Sequence, residues 1–304
     1  MNAITTSAPG KLMLMGEHAV LHGRPALVAA VNRRVHVRLN PRADRRVRVQ
    51  SALGAWEGDL DGLRPVAPFE FVLGADAAVR PPAGCDLHVQ AEFNADVGLG
   101  SSAAVTVATV AALQAFAGDG ELQREQVFHV ARQTVRAVQG AASGADLAAA
   151  VYGGVVDYRA APLQIRPVPG LPPTAVVYSG SKRRTAEVIA LVETARRAEP
   201  ARYEALFDQM AELVEDGAAA IAAGDAARLG ARYDEHQQIM AGMGLSNPRL
   251  DEIVAALRRE PGVHGAKISG AGLGDCVIAA GTLAPATTMD ALDVALTQTG
   301  VTRR

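Results

Sequence analysis

The chain has 304 residues, of which 49% are hydrophobic and 4% aromatic, and its formal net charge is -2. This length suffices for two domains, with cores built mainly from Ala, Val and Leu. The charge argues against a nucleic-acid partner, which usually requires a basic footprint. Residues 1–7 lack the parts of a secretory signal, and no apolar run reaches membrane-spanning length. We therefore expect a cytoplasmic protein without a membrane partner.

The two cysteines, Cys85 and Cys276, lie far apart in the sequence. Neither belongs to a cluster with metal-ligand spacing, so the sequence predicts neither a disulfide framework nor a zinc site. A reducing cytoplasm fits this pattern.

The first third of the chain is predicted to be mostly sheet. An apolar run at 12–15 follows a turn-prone cluster and indicates a short strand. Apolar and polar residues alternate at 33–39, 46–49 and 86–93, which is typical of half-buried strands. The last of these strands leads directly into a glycine turn.

The remainder mixes helices and strands without strict alternation, which indicates an α+β protein. Proline-rich residues at 162–173 suggest a division into domains of residues 1–165 and 166–304. Strands are predicted at 155–158, 175–178, 266–268 and 276–280. Helices are predicted at 102–116, 124–138, 147–152, 185–197, 201–223, 226–240, 250–260 and 289–299.

The most informative local feature is the glycine turn at 98–103, which runs into the helix predicted at 102–116. Backbone N–H groups at a helix start lack intrahelical partners, and glycines let an anion approach them closely, so the turn can cradle phosphate. A turn followed by a serine N-cap is the competing interpretation. The common nucleotide fingerprints are not completed, because Ala103 stands where the third glycine of Gly-x-Gly-x-x-Gly belongs.

Three motifs in order resemble those of the GHMP family of small-molecule kinases, and the resemblance spans essentially the whole chain. They are Ala8-Pro9-Gly10-Lys11 with Gly16-Glu17-His18-Ala19-Val20, then residues 98–104, then residues 267–276. The resemblance implies an N-terminal α+β domain that carries the phosphate loop and a C-terminal ferredoxin-like domain. The active site is then expected in the cleft between them.

The resemblance also implies the cofactors, ATP and Mg²⁺, and the residues that handle them. Asp146 matches the catalytic aspartate that accepts or orients the hydroxyl proton, and Lys11 matches the lysine paired with it. Ser102 matches a Mg²⁺ ligand. The residues expected to bind ATP are Gly98, Leu99, Gly100, Ser101, Ser102 and Ala103 in the loop and Gly270, Ala271 and Gly272 in the C-terminal turn.

The segment at 16–23 resembles mevalonate kinases most closely, which implies a small-molecule substrate, mevalonate, phosphorylated on its 5-hydroxyl. Glu17, His18 and Thr185 are expected in the acceptor pocket. Arg159 is a candidate for the acceptor carboxylate, because guanidinium binds carboxylate with two parallel hydrogen bonds. Other positions resemble phosphomevalonate kinases, for which Lys182-Arg183-Arg184 is the obvious cationic cluster. A relative that binds nucleotide without transferring phosphate is a third hypothesis.

Three positions depart from the mevalonate kinase pattern. Val135 stands where a metal-binding Glu is usual, Gln139 replaces a His, and Ala142 replaces a Pro. These departures predict that ATP phosphates and water supply most of the Mg²⁺ ligands. The adenine pocket is expected among residues 47–73, including Trp56. A homodimer is a further partner suggested by the family.

Overall fold

The computed structural model describes residues 2–118, 121–140 and 143–304; Ala142, named above, lies outside them. The strands of these residues are β1 (Ile4–Met15), β2 (Ala26–Pro41), β3 (Arg46–Ser51), β4 (Gly54–Asp59), β5 (Cys85–Ala91), β6 (Val155–Ala160), β7 (Leu163–Val168), β8 (Thr174–Tyr178), β9 (Val263–Ser269), β10 (Cys276–Gly281) and β11 (Thr302–Arg303). The α-helices are α1 (Glu70–Val79), α2 (Ser101–Ala117), α3 (Arg124–Gln139), α4 (Ala145–Tyr152), α5 (Thr185–Ala198), α6 (Pro200–Ala223), α7 (Ala226–Gly242) and α8 (Pro248–Leu257).

The strands form a large and a small sheet. The large sheet has the order β11-β1-β2-β5-β3-β4, with β6 beside β2 and β7 beside β6. Its pairs are antiparallel except for β3 and β5. The small sheet has the antiparallel order β8-β10-β9, and a bridge between Val177 and Ala291 extends it beyond β8.

Burial explains why these segments form layers. The first half of β2, residues 26–31, is buried on both faces, whereas Val35, Val37 and Leu39 alternate with more exposed residues. Helices α2 and α4 pack on β1 and β2, and α1 and α3 pack on α2. Helix α2 is apolar almost all round, as expected of a central helix. Helices α7 and α8 cover β9 and β10. Helix α6 packs on α7 and also contacts β1 and β2, and α5 packs on α6. The observed architecture is the predicted α+β class.

The helix predicted at 289–299 is wrong. This segment is extended: Leu292 donates its N–H to Val176 O at 2.8 Å, and Thr297 donates to Ala30 O at 2.9 Å. Residues Leu292, Val294 and Leu296 pack against the core between the two sheets. The apolar residues at 292, 294 and 296 are spaced two apart, as in a strand. The apolar residues at 289, 292 and 296 also fit the three- and four-residue spacing of a helix. The segment is a strap that joins the two sheets.

Helix α1 and strand β4 are absent from the sequence prediction. Helix α1 begins without a side-chain cap and contains Gly74, whose Cβ would lie 3.1 Å from Val138 Cγ2 and 3.2 Å from Thr134 Cγ2. The glycine therefore permits close packing on α3, although it weakens the local helix signal. Strand β7 pairs with β6, so the expected division after residue 165 falls within this strand and stays a prediction. No described helix is both long and apolar enough to span a membrane.

Candidate active site

A cleft of about 210 Å³ lies where β1, the start of α2, α4, α5 and the turn between β9 and β10 converge. Residues that lie far apart in the sequence form its wall. The predicted site residues on its wall are Lys11, Glu17, His18, Gly98, Gly100, Ser101, Ser102, Ala103, Asp146, Thr185, Gly270 and Ala271.

The loop at 98–103 forms a helix start that is open to an anion. Gly98 and Gly100 have φ of 75° and 73°, which is the left-handed region that glycine enters without steric cost. Gly100 is the N-cap of α2, and no side chain caps this helix, so the serines are not its caps. The first helical hydrogen bond runs from Ala104 N–H to Gly100 O at 3.1 Å. The N–H groups at 101–103 therefore precede the intrahelical ladder, as in anion-binding helix starts.

Lys11 and Asp146 form an ion pair beside this loop. Lys11 Nζ lies 3.4 Å from Asp146 Oδ1, with the lysine side chain 10% exposed and the carboxylate 40% exposed. The Lys11 backbone N–H donates to Leu99 O at 2.8 Å, which fixes β1 against the loop. Asp146 lies in the first turn of α4, whose N-cap is Gly144. The carboxylate is thus available to the cleft and lies at the positive end of the helix.

Glu17 lies on the floor of the cleft and is 2% exposed. Its Oε1 accepts a hydrogen bond from Lys267 Nζ at 2.6 Å and one from Gly270 N–H at 3.3 Å. Burial alone would raise the pKa of Glu17, but the Lys267 ammonium overcomes this effect and lowers the pKa. Glu17 is therefore an ionised anchor between the start of the chain and the turn after β9.

His236 of α7 completes this buried cluster as a neutral ring. Burial lowers the pKa of His236 to about 3. Its Nε2 accepts a hydrogen bond from Gly16 N–H at 3.0 Å, so the same atom, 3.4 Å from Glu17 Oε2, cannot carry a proton toward the carboxylate. The cluster therefore contains one charge pair, Glu17 and Lys267.

His18 lies between this cluster and the open cleft. Its φ is 60°, an uncommon conformation for a residue with a side chain. Its Nε2 is 2.8 Å from Ala271 O, and burial lowers the pKa of the ring. The neutral imidazole thus connects the N-terminal motif to the C-terminal glycine turn.

Four expected residues do not line the cleft. Arg159 Nη1 donates to Gly23 O at 3.2 Å on the neighbouring surface. Leu99 is 2% exposed and packs in the core, and a Cβ on Gly272 would lie 2.7 Å from Leu245 O. Trp56 folds over Gly58 within β4, where a Cβ would lie 2.4 Å from the indole. Their binding roles stay predictions.

Asp275 and Lys182 line the cleft although neither was assigned a role in catalysis or nucleotide binding from the sequence. Asp275 follows the C-terminal glycine turn, is 7% exposed and has a φ of 64°. Burial raises the pKa of its carboxyl, and the positive charges of Lys11 and Lys182 oppose that shift. The sequence could have indicated a role for Asp275, because an acidic residue directly follows a glycine-rich turn. That Asp275 lies next to Gly98 could be learned only from the fold.

The described residues contain no group of three or more His, Cys, Asp or Glu side chains that could hold a metal by themselves. The cleft nevertheless offers hard oxygen donors. The Ser101 and Ser102 hydroxyls do not cap α2, and Asp275 Oδ1 is enclosed without a hydrogen-bond partner. Such a donor set fits Mg²⁺, which commonly takes one or two protein ligands together with phosphate oxygens and water.

The fold and the cleft are those of a phosphotransferase, and the chain belongs to the GHMP kinase family. Residues 70–154 match the GHMP kinases N terminal domain and residues 218–289 match the GHMP kinases C terminal domain. Members of a kinase family use ATP as the phosphoryl donor.

Two curated relatives and one solved structure show how far the similarity extends. The mevalonate kinase of Archaeoglobus fulgidus is 36% identical over 271 residues, covering 89% of this chain and 90% of the relative. The mevalonate kinase of Thermococcus gammatolerans is 32% identical, covering 91% and 88%. The crystal structure of L. major mevalonate kinase in complex with R-mevalonate is 26% identical with a TM-score of 0.73, covering 92% of this chain and 87% of that chain.

Proposed function

We propose that the protein transfers the γ-phosphoryl group of ATP to the 5-hydroxyl of mevalonate. The observation that carries this proposal is the Lys11–Asp146 pair, 3.4 Å apart, beside a helix start with open N–H groups. The two curated relatives named mevalonate kinase, each at least 32% identical to the chain, support mevalonate as the acceptor.

The phosphate loop supplies the electrostatic part of the reaction. The N–H groups at 101–103 and the positive end of α2 bind phosphate oxygens. Lys11 and Lys182 are the cationic side chains on the described wall of the cleft, His18 being neutral. Because phosphoryl transfer depends mainly on alignment and charge neutralisation, these groups lower the barrier by holding the transferred group in line with the acceptor.

Asp146 handles the hydroxyl proton. Its carboxylate, 40% exposed to the cleft, accepts or orients the proton of the acceptor hydroxyl, and the Lys11 ammonium stabilises the negative charge that develops on the oxygen. Asp146→Asn keeps the shape but removes the acceptor of the proton. We expect kcat to fall by at least about 100-fold, within the usual range for general acid–base catalysis, while the affinity for ATP changes little.

A magnesium ion bound with ATP supplies neutralisation of the β- and γ-phosphates. Ser102 is the protein hydroxyl we assign to it, because Ser102 lies in the first turn of α2 on the cleft wall and does not cap the helix. Ser102→Ala should raise the Mg²⁺ concentration required for half-maximal rate.

The acceptor is proposed to bind between the 16–18 segment and the start of α5. His18 and Thr185 line this side of the cleft. Glu17 lies on the cleft floor next to His18, where its ion pair with Lys267 holds the 16–18 segment in place. Arg159 is held by Gly23 O outside the cleft wall, so its role as the carboxylate ligand needs a separate test. If Arg159 binds the acceptor, Arg159→Met will raise the KM for mevalonate and leave the KM for ATP unchanged.

The two alternatives make different demands on the site. A phosphomevalonate kinase requires a cationic subsite for a second phosphate, yet of the Lys182-Arg183-Arg184 cluster only Lys182 lines the cleft among the described residues. Arg183 instead faces Glu187, with 3.7 Å between Nε and Oε2. A non-catalytic binder does not require both Lys11 and Asp146. These observations favour mevalonate phosphorylation.

Purified protein with ATP and Mg²⁺ tests the proposal, with mevalonate and phosphomevalonate offered separately. ADP release and ³¹P NMR of the product should show transfer to mevalonate, with turnover lost in Asp146→Asn. A double Ala variant at 183 and 184, which keeps Lys182 on the cleft wall, is expected to lower phosphomevalonate turnover selectively only if that compound is the acceptor. Turnover of phosphomevalonate but not mevalonate would contradict the assignment.

A further inference from the structure

Three carboxylates lie on the described wall of the cleft, and two of them have a cationic partner. Glu17 is bound to Lys267 at 2.6 Å and Asp146 lies 3.4 Å from Lys11. The third, Asp275, is 7% exposed, and its Oδ1 is enclosed without a hydrogen-bond partner. A buried carboxylate oxygen without a partner costs free energy, so its retention here calls for a ligand.

The orientation of Asp275 shows what that ligand must be. Its Oδ1 lies 3.0 Å from the position that a Cβ on Gly98 would occupy, so the carboxylate faces the phosphate loop. A desolvated carboxylate at an anion-binding loop would repel a polyphosphate. Lys182 donates to Ala95 O at 2.7 Å and Lys11 faces Asp146, and among the described residues neither lysine ammonium hydrogen-bonds to Asp275 Oδ1. A divalent cation between carboxylate and phosphates removes the repulsion.

We propose that Asp275 supplies a carboxylate ligand to the divalent cation that enters the site with the nucleotide phosphates. The helix on the other side of the cleft, α3, presents Val135 and Gln139 there and offers no carboxylate. Asp275 Oδ1 and the α2 serine hydroxyls are then the protein oxygens that flank the phosphates. The proposal rests on nucleotide binding at this loop, and it does not depend on which acceptor the enzyme uses.

The backbone holds Asp275 in place for this role. Its N–H donates to Ser181 O at 2.8 Å, and its carbonyl accepts from Ser179 N–H at 2.9 Å. Its φ of 64° is uncommon for a non-glycine residue, although Asp and Asn tolerate it better than most residues. Asp275→Asn therefore preserves size and backbone conformation while it removes the charge.

The test measures ADP binding by isothermal titration calorimetry without acceptor, first with EDTA and then with saturating Mg²⁺. If Asp275 ligates the cation, Asp275→Asn binds metal-free ADP as tightly as wild type or more tightly, because a repelling charge is gone. The same variant binds ADP less tightly than wild type when Mg²⁺ is present. We expect the Mg²⁺-dependent gain in affinity to fall by about tenfold or more, equivalent to at least about 1.4 kcal/mol.

Asp96→Asn is the matched control, because it removes one negative charge from an exposed residue just before the phosphate loop. It should leave the Mg²⁺-dependent gain close to the wild-type value. A second readout is electron paramagnetic resonance of Mn²⁺ in the presence of ADP, which measures the affinity of Mn²⁺ for the complex of protein and ADP. This affinity should fall in Asp275→Asn and stay unchanged in Asp96→Asn.

If Asp275→Asn changes the affinity for ADP equally with and without Mg²⁺, the inference is overturned. A residue that is only structural or only repulsive would act on both forms of ADP. An unchanged gain in affinity would overturn it as well. Wild-type protein that binds no ADP under either condition would instead refute the proposed kinase function together with the inference.

Discussion

Gly100 determines whether Lys11 can reach Asp146. A Cβ at this position would lie 2.7 Å from Lys11 Cγ and 2.8 Å from Lys11 Cε. Carbon atoms in contact are normally about 3.5–4.0 Å apart, so Gly100→Ala must displace the lysine by about 1 Å. A displacement of that size at a catalytic group costs on the order of 100-fold in rate. We expect kcat/KM for mevalonate to fall by about that factor.

A matched control separates the effect on Lys11 from the strain that alanine places on the backbone at Gly100. Gly244 has a φ of 75°, close to the 73° of Gly100, and a Cβ there would have no other atom within 4 Å. Both alanine variants should therefore lose about 1 kcal/mol of unfolding free energy, because an L-residue in the left-handed region clashes with its own carbonyl. Only Gly100→Ala should lose activity.

The assay combines urea denaturation with initial rates of ADP release at saturating Mg²⁺. Equal activity losses in the two variants would mean that reduced stability, rather than the position of Lys11, limits the rate. Full activity in a folded Gly100→Ala variant would mean that Lys11 can take another rotamer and still serve the reaction. Either result would refute the argument that the Lys11–Asp146 contact depends on this glycine.

Two predictions concern buried charges. Lys267→Met removes the cation that stabilises the ionised Glu17 in the core, and it should lower the unfolding free energy in urea by about 3–5 kcal/mol. Adding Glu17→Gln should recover part of this loss. Burial raises the pKa of Asp76 to about 6, from an ordinary 3.8. The folded state thus binds the proton more tightly, and wild-type stability should fall by up to about 3 kcal/mol as pH rises from 4 to 7. Asp76→Asn should lose that component; an unchanged pH profile would refute it.

Local signals predicted the parts of the site that lie close together in the sequence. The loop at 98–103 is a continuous segment, and its glycines, serines and following apolar helix specify an anion-binding helix start. Asp146 and Lys11 were recognised from motifs, and the fold brings them together. Asp275 could not be connected to Gly98 in this way, because their proximity depends on how β10 is placed beside the phosphate loop.

Local preference and tertiary packing disagree at the C-terminal strap, where the helix prediction failed, and two side chains have contacts that the sequence does not report. Trp56 covers Gly58 of its own strand, and its place in an adenine pocket stays a prediction. The strap at 289–299 has apolar residues that fit both periodicities, and only the hydrogen bonds to Val176 and Ala30 make it extended. Arg159 stays a predicted acceptor ligand, and its sequence neighbourhood does not report its hydrogen bond to Gly23 O.

The pairing of β11 with β1 also constrains when the large sheet can be completed. Thr6 pairs with Arg303 and Ser7 with Thr302, and the strap before them crosses from the small sheet to the large one. During synthesis, the edge of β1 that pairs with β11 stays unpaired until residues 302–303 have left the ribosome. Contacts so distant in sequence form slowly, and exposed strand edges favour misassembly. This edge of β1 should therefore stay open to misassembly until residues 302–303 pair with it.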